Sequence, residues 1–150
     1  MASAKTVKQI METKMVTATL QDHIFEIAEK MKQHDIGFIP IVQGKQLVGV
    51  VTDRDLVLRG YAEKKSGSTL VQDVISDQHI VSVSPETSID EASQLMAEHQ
   101  VRRLPVVQQN ELVGIIAIGD LAVRAAFENE AGEALGDISE KNKVTVGSQH

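Results

Sequence analysis

The chain repeats itself. Displaced by 65 positions, residues 16–59 fall on residues 81–124 without a gap, and fourteen of the forty-four pairs are identical. Chance matching on average amino-acid usage gives about one pair in twenty to one in fifteen. The identities include Val16/Val81, Ile24/Ile89, Glu26/Glu91, Met31/Met96, His34/His99, Pro40/Pro105, Gly49/Gly114, Asp55/Asp120 and Arg59/Arg124. Most other pairs exchange like for like, as in Ile41/Val106 and Val50/Ile115. Upstream, Val7, Ile10 and Met11 answer Val71, Val74 and Ile75 after a one-residue insertion. A duplicated unit of about 60 residues admits only folds in which two copies of one small architecture sit side by side. A unit of that size buries little surface alone. Two copies are therefore expected to pack sheet to sheet.

Each unit reads as β-α-β-β-α, an α/β (α+β) class with the two repeats related by a pseudo-two-fold axis. A short apolar turn (Val7/Ile10 or Val71/Val74) leads into an extended piece at 15–17 or 80–83. Ile24, Ile27, Ala28 and Met31 then recur at helical spacing, as do Ile89, Ala92, Leu95 and Met96. Ser88 with Glu91 predicts a capping box, and Asp22 is the expected cap of the first helix. Residues 39–42 and 104–107 predict strands, with Pro40 and Pro105 placed where no ladder donor is needed. The β-branched runs 47–52 and 112–118 predict buried strands. Second helices are expected over 55–62 and 120–127. The units are bounded as 5–62 and 71–128, with a Ser/Gly-containing linker over 63–70 and a partly disordered tail over 129–150.

Composition narrows the function. With 42% hydrophobic and 24% charged residues the chain can form a core and stay in solution. It has no cysteine, so no disulfide framework and no thiolate chemistry. No apolar run approaches the ~18 residues of a membrane span, and the first ten residues lack the apolar stretch of a signal peptide. A cytoplasmic location with no membrane partner is expected. Three Phe, one Tyr and a net charge of −6 argue against a nucleic-acid partner. The acid is concentrated late: residues 76–150 hold five Lys/Arg against twelve Asp/Glu. This reads as a solvated face.

Two stretches, Ile39-Pro40-Ile41-Val42 with Leu47 to Asp55, and Leu104-Pro105-Val106-Val107 with Leu112 to Asp120, resemble the signature of a CBS domain. Two in tandem resemble a Bateman module, most like small free-standing bacterial CBS-pair proteins of the hypoxic response protein type. The resemblance spans about residues 5–128. It implies an adenosine-containing ligand held between the repeats, and no enzymatic activity.

The residues themselves suit such a ligand. At Gly49-Val50-Val51-Thr52-Asp53-Arg54-Asp55 a buried strand runs into a helix start, whose free amides favour anions. Thr52 can donate its hydroxyl to a phosphate, and Asp55 can accept from two vicinal ribose hydroxyls. The plainer role for Asp55 is to cap its helix. The resemblance further implies that the backbone at Gly37, Phe38 and Ile39 reads the adenine edge. It implies too that apolar side chains at Met11, Val16 and Val50 sandwich the ring, with Thr17 beside them. Arg102 and Arg103 stand where the first copy has Gly37 and Phe38. The resemblance implies that Arg103, with Arg102, reaches across to phosphates anchored on Asp55, and Arg54 is a second candidate. In the second copy Ala117 replaces Thr52 and Gly119 replaces Arg54. A second, weaker site is expected at Val81, Leu104, Ile115 and Asp120.

His34 and His99 fall at helix C-terminal ends, where an imidazolium meets the negative end of the dipole. No zinc-ligand spacing, nucleophile elbow or phosphate-binding loop is present. Asp53, Asp55 and Glu63 suit Mg²⁺ only with nucleotide phosphates as co-ligands. No resident cofactor is expected. The reading is a sensor of AMP, ADP, ATP or a related compound, acting on an unknown protein effector. A homodimer is expected through Leu58, Tyr61, Val123 and Phe127. The alternative is a ligand-free, stress-related scaffold that works through its dimer surface.

Overall fold

The computed structural model describes residues 6–75 and 80–122. Val123, Phe127 and the expected tail lie outside the described residues.

Helix α1 (Ile24–His34) forms because Ile24, Ile27 and Met31 line one buried face. Its cap differs from expectation. His23 is the N-cap, and its backbone N–H donates to Glu26 Oε1 at 2.9 Å. Asp22 instead ties the preceding turn, accepting from the Thr19 N–H at 3.0 Å and the Thr19 hydroxyl at 3.1 Å. The chain leaves α1 through Asp35 in the left-handed region and enters β1 (Phe38–Gln43). A turn through Gly44, at φ +64°, returns it as β2 (Gln46–Thr52). Helix α2 (Asp53–Asp55) starts two residues before the expected 55, because Thr52 and Asp55 bond reciprocally at its N-terminus. It continues as a wider π-type coil over Leu56–Tyr61, with the Ala62 N–H donating to the Val57 carbonyl. Buried Gly60 lets this coil approach α1: a Cβ there would lie 3.3 Å from Ile24 Cδ1.

The second half repeats the plan. Helix α3 (Ile89–His99) is capped by Ser88 Oγ, which accepts from the Glu91 N–H at 3.0 Å. Strands β3 (Arg103–Gln108) and β4 (Glu111–Ala117) follow, and residues 118–122 begin another helix. The two hairpins share even their irregularity. The pairing β1–β2 shifts between Ile41 and Val42, and β3–β4 shifts at the equivalent Val106 and Val107. Outside each hairpin an extended residue adds in parallel: Ala18 beside Ile41, and Val83 beside Val106.

The strand order is β1-β2-β4-β3. The expected sheet-to-sheet contact takes the form of an edge-to-edge join. Strands β2 and β4 pair at Gln46↔Glu111, flanked by the bonds Leu47 N–H to Asn110 O (3.3 Å) and Leu112 N–H to Lys45 O (2.9 Å). Pairing stops there, at the hairpin tips, and the halves part beyond it.

Each half has its own core, and each core borrows from the other unit. Val71 and Val74 open the second unit in sequence but are buried with Ile27, Ile39 and Val51 of the first. Val7 opens the first unit but is buried with Ala92, Met96 and Ile116 of the second. The backbone follows: the Val7 N–H donates to Thr87 O, and the Val71 N–H to Asp22 O, both at 2.8 Å. The two leading turns cross over.

Candidate ligand cleft between the halves

Where the halves part, a cleft of about 770 Å³ opens. That is ample for a nucleotide-sized molecule, since small-ligand sites run to roughly 300–1,000 Å³. Its first wall is Phe38, Val48, Gly49, Val50 and Asp55, completed by Leu20, Gln72 and Ile75. Its second wall is Ile80, Val81, His99, Val101, Arg103, Leu104 and Pro105.

Asp55 reaches the cleft while also capping its helix. Its Oδ2 accepts from the Thr52 N–H at 3.0 Å, and its own N–H donates to Thr52 Oγ1 at 3.1 Å. Arg59 Nε stands 3.5 Å from Oδ1, one turn on. A carboxylate has about four acceptor positions, so both partners leave capacity for hydroxyls. The Thr52 hydroxyl, used here as an acceptor, keeps its proton to donate. The capping role and the ligand role are thus compatible.

The second wall owes its charge to Arg103 at the start of β3. Gln100 turns through the left-handed region at φ 55°, and the Val101 N–H donates back to Met96 O at 3.0 Å. The chain bends at Arg102 before β3 starts at Arg103. Val101 and Arg103 line the cleft; Arg102 does not. The Ile118 N–H fixes the Arg102 carbonyl at 2.8 Å. On the first wall Phe38 lines the cleft and its neighbours Gly37 and Ile39 do not; Ile39 is wholly buried in the first core.

Of the residues expected around one nucleotide, the structure brings together Phe38, Val50, Asp55 and Arg103. Thr52 adjoins through Asp55. Met11, Val16, Thr17, Gly37, Ile39, Arg54 and Arg102 lie off the cleft wall. Met11 is placed farthest from that expectation. It packs with the second core, and a Cβ on Gly114 would meet its Sδ at 2.7 Å. Its repeat mate Ile75 takes the matching place against Gly49. Because the leading turns cross over, the residue expected at the first site sits on the second half. Val16 packs on the first core, and Thr17 spends its carbonyl on Lys30 Nζ at 2.9 Å.

Val81 and Leu104, expected at the second site, line the same cleft as Asp55. Asp120 lies elsewhere, exposed, with Oδ2 accepting from the Ala117 N–H at 3.2 Å. It repeats half of the Thr52–Asp55 arrangement and lacks the hydroxyl. Ile115 is engaged by Glu12, each N–H donating to the other's carbonyl at 2.8 and 2.9 Å. Gln72, Ile75 and His99 are among the lining residues that sequence reasoning missed. The repeat itself carried the signal for the first two, once the crossover is known.

Asp53, Asp55 and Glu63 do not converge as a cation site. The Asp53 carboxylate lies against Gly37, and Glu63 faces Lys65 at 3.9 Å. Among the described residues no cluster of three metal-ligating side chains occurs, and no helix is long and apolar enough to cross a membrane.

A duplicated β-α-β-β-α unit with a cleft at its pseudo-symmetric join defines a CBS pair. The chain belongs to the CBS-domain family, whose profile matches residues 7–60 and again 71–126. It is 48% identical over 136 residues to the CBS domain-containing protein YhcV of Bacillus subtilis, covering 91% of this chain and 96% of that one. It is 35% identical to Hypoxic response protein 1 of Mycobacterium tuberculosis, over 78% of this chain and 82% of that one. The crystal structure of Hypoxic Response Protein I, which holds two coordinated zinc ions, superposes with a TM-score of 0.72 at 34% identity, covering 78% of this chain and 96% of that chain. The CBS pair of protein MJ0100, solved with 5-methylthioadenosine and S-adenosyl-L-methionine, shares the fold with a TM-score of 0.71 at 23% identity, over 83% of this chain and 97% of that one.

Proposed function

We propose that this chain is a non-catalytic regulatory module that binds an adenosine-containing anion, such as AMP, ADP or ATP, between its two halves. The observation that carries the reading is the shared cleft. Asp55 of the first half and Arg103 of the second line one cavity over an apolar floor of Val48, Gly49 and Val50. The carboxylate suits the ribose diol, the apolar floor and Phe38 suit a purine face, and the guanidinium suits a phosphate. That a protein of the same fold holds adenosyl compounds supports the ligand class. A built cleft favours this reading over a ligand-free scaffold. The binding event joins residues of both halves, so occupancy biases the angle between them, and an effector protein that discriminates the two angles reads the ligand. Self-association of the module and a cytoplasmic site of action complete the proposal. Mg²⁺ enters only with the phosphates of the nucleotide.

The test is a thermal-shift panel of AMP, ADP, ATP, NAD(H) and S-adenosylmethionine. A ligand at a hundred times its dissociation constant stabilises by about 2.7 kcal/mol. AMP or its di- and triphosphates are expected to raise Tm most. A flat panel overturns the proposal in favour of the scaffold.

A further inference from the structure

The cleft wall that carries Arg103 also carries an imidazole. His99 ends α3, and the tight left-handed turn at Gln100 sets it on the same wall as Val101 and Arg103. Its repeat mate His34 ends α1 in the same way, yet does not line this cleft. The capping role expected for both histidines therefore does not account for the placement of His99.

We propose that His99 is a specificity-determining residue that joins Arg103 in holding the anionic group of the ligand, so that affinity for phosphorylated adenosine strengthens as the imidazole gains its proton. The inference rests on the adenosyl reading above and adds the residue that sets its charge preference. A histidine ring can be neutral, with one N–H donor, or protonated, with two. Among the described residues, the charged groups facing the cleft with it are Arg103 from β3 and Asp55 from α2. Asp55 has Arg59 as its own partner at 3.5 Å. On its own helix Glu98 accepts from Gln94 Nε2 at 3.5 Å. With its imidazole neutral the second wall carries the charge of Arg103; with it protonated, the wall carries two positive charges against one phosphate. An uncharged adenosine gains nothing from the change.

The experiment is calorimetric titration of AMP, with adenosine as control, into the full chain at pH 6.0 and 8.0. The unaltered protein is compared with His99→Gln and His99→Lys. The AMP phosphate itself titrates near pH 6, but the ratio of unaltered to variant affinity at one pH cancels that effect. For His99→Gln the expected ratio is near one at pH 8.0 and about two- to fivefold at pH 6.0, the range of a solvent-exposed charge pair. His99→Lys is expected to bind AMP at least as tightly as the unaltered chain at pH 8.0, and adenosine ratios are expected to stay flat. A ratio for His99→Gln that is equal at both pH values, with AMP still bound, overturns the role of His99 alone. No AMP binding by the unaltered chain at either pH overturns this role together with the proposed function. His99 is exposed, so both variants are expected to melt with the unaltered chain.

Discussion

Asp55 has two duties, and they can be separated. As the partner of the Thr52 N–H it stabilises the start of α2, and losing such a cap costs about 1 kcal/mol. As a cleft residue it is proposed to grip the ribose. Asp55→Ala is therefore expected to lower Tm modestly and to abolish nucleotide binding in calorimetry. Asp120→Ala, which removes an exposed carboxylate bonded to the Ala117 N–H, is expected to leave that binding nearly intact. Comparable losses in both variants would sink the asymmetry between the sites. Arg103→Ala is expected to weaken AMP binding about tenfold, as for a lost charge-assisted hydrogen bond, while adenosine binds as before. Equal losses for the two ligands would mean that Arg103 meets the base or sugar instead. The sequence named Asp55 and Arg103 as partners because their motif positions are specific. It kept Arg102 beside Arg103, since only the fold shows the bend at Arg102 and the start of β3 at Arg103.

The elements were legible where one face is buried. The 3.6-residue spacing of Ile24, Ile27 and Met31 located α1, and the β-branched runs located β2 and β4, to within a residue or two. Capping was legible at Ser88 of α3 but not at α1, where the choice between Asp22 and His23 depends on the incoming turn and not on residue type alone. The crossover of the leading turns was not legible at all. A repeat assigns Met11 to the unit it adjoins in sequence, and only packing shows it against Gly114. That contact makes a sharp test. A Cβ at Gly114 would meet Met11 Sδ at 2.7 Å and the Glu12 carbonyl oxygen at 3.1 Å, so side chain and backbone both stand in the way. Gly114→Ala is expected to destabilise by about 1–3 kcal/mol, the usual cost of overpacking. Gly49→Ala, whose nearest neighbour is the flexible tip of Ile75 at 3.2 Å, is expected to cost less. Urea denaturation of the two variants measures the difference; equal midpoints would mean that Met11 and Glu12 swing aside freely.

At the scale of the whole molecule, three of the five large exposed apolar side chains among the described residues fall along one coil. Val57, Leu58 and Tyr61 are 55, 46 and 84% exposed on the π-type continuation of α2. Exposed apolar patches mark association sites, in keeping with the proposed self-association. Leu58→Lys with Tyr61→Glu is expected to lower the mass seen in sedimentation without lowering Tm for the single module. An unchanged mass would place the contact elsewhere. The crossed turns carry a different consequence. A fragment cut in the linker near residue 63 would hold Val7 with no pocket to receive it, and its own pocket would stand vacant where Val71 and Val74 belong. Neither piece is self-sufficient, yet each carries the plug that the other lacks. Mixed together, the two pieces should reconstitute a heterodimer; kept apart, each should seek a twin and trade leading segments with it, as a single-copy ancestor of this chain would have had to do.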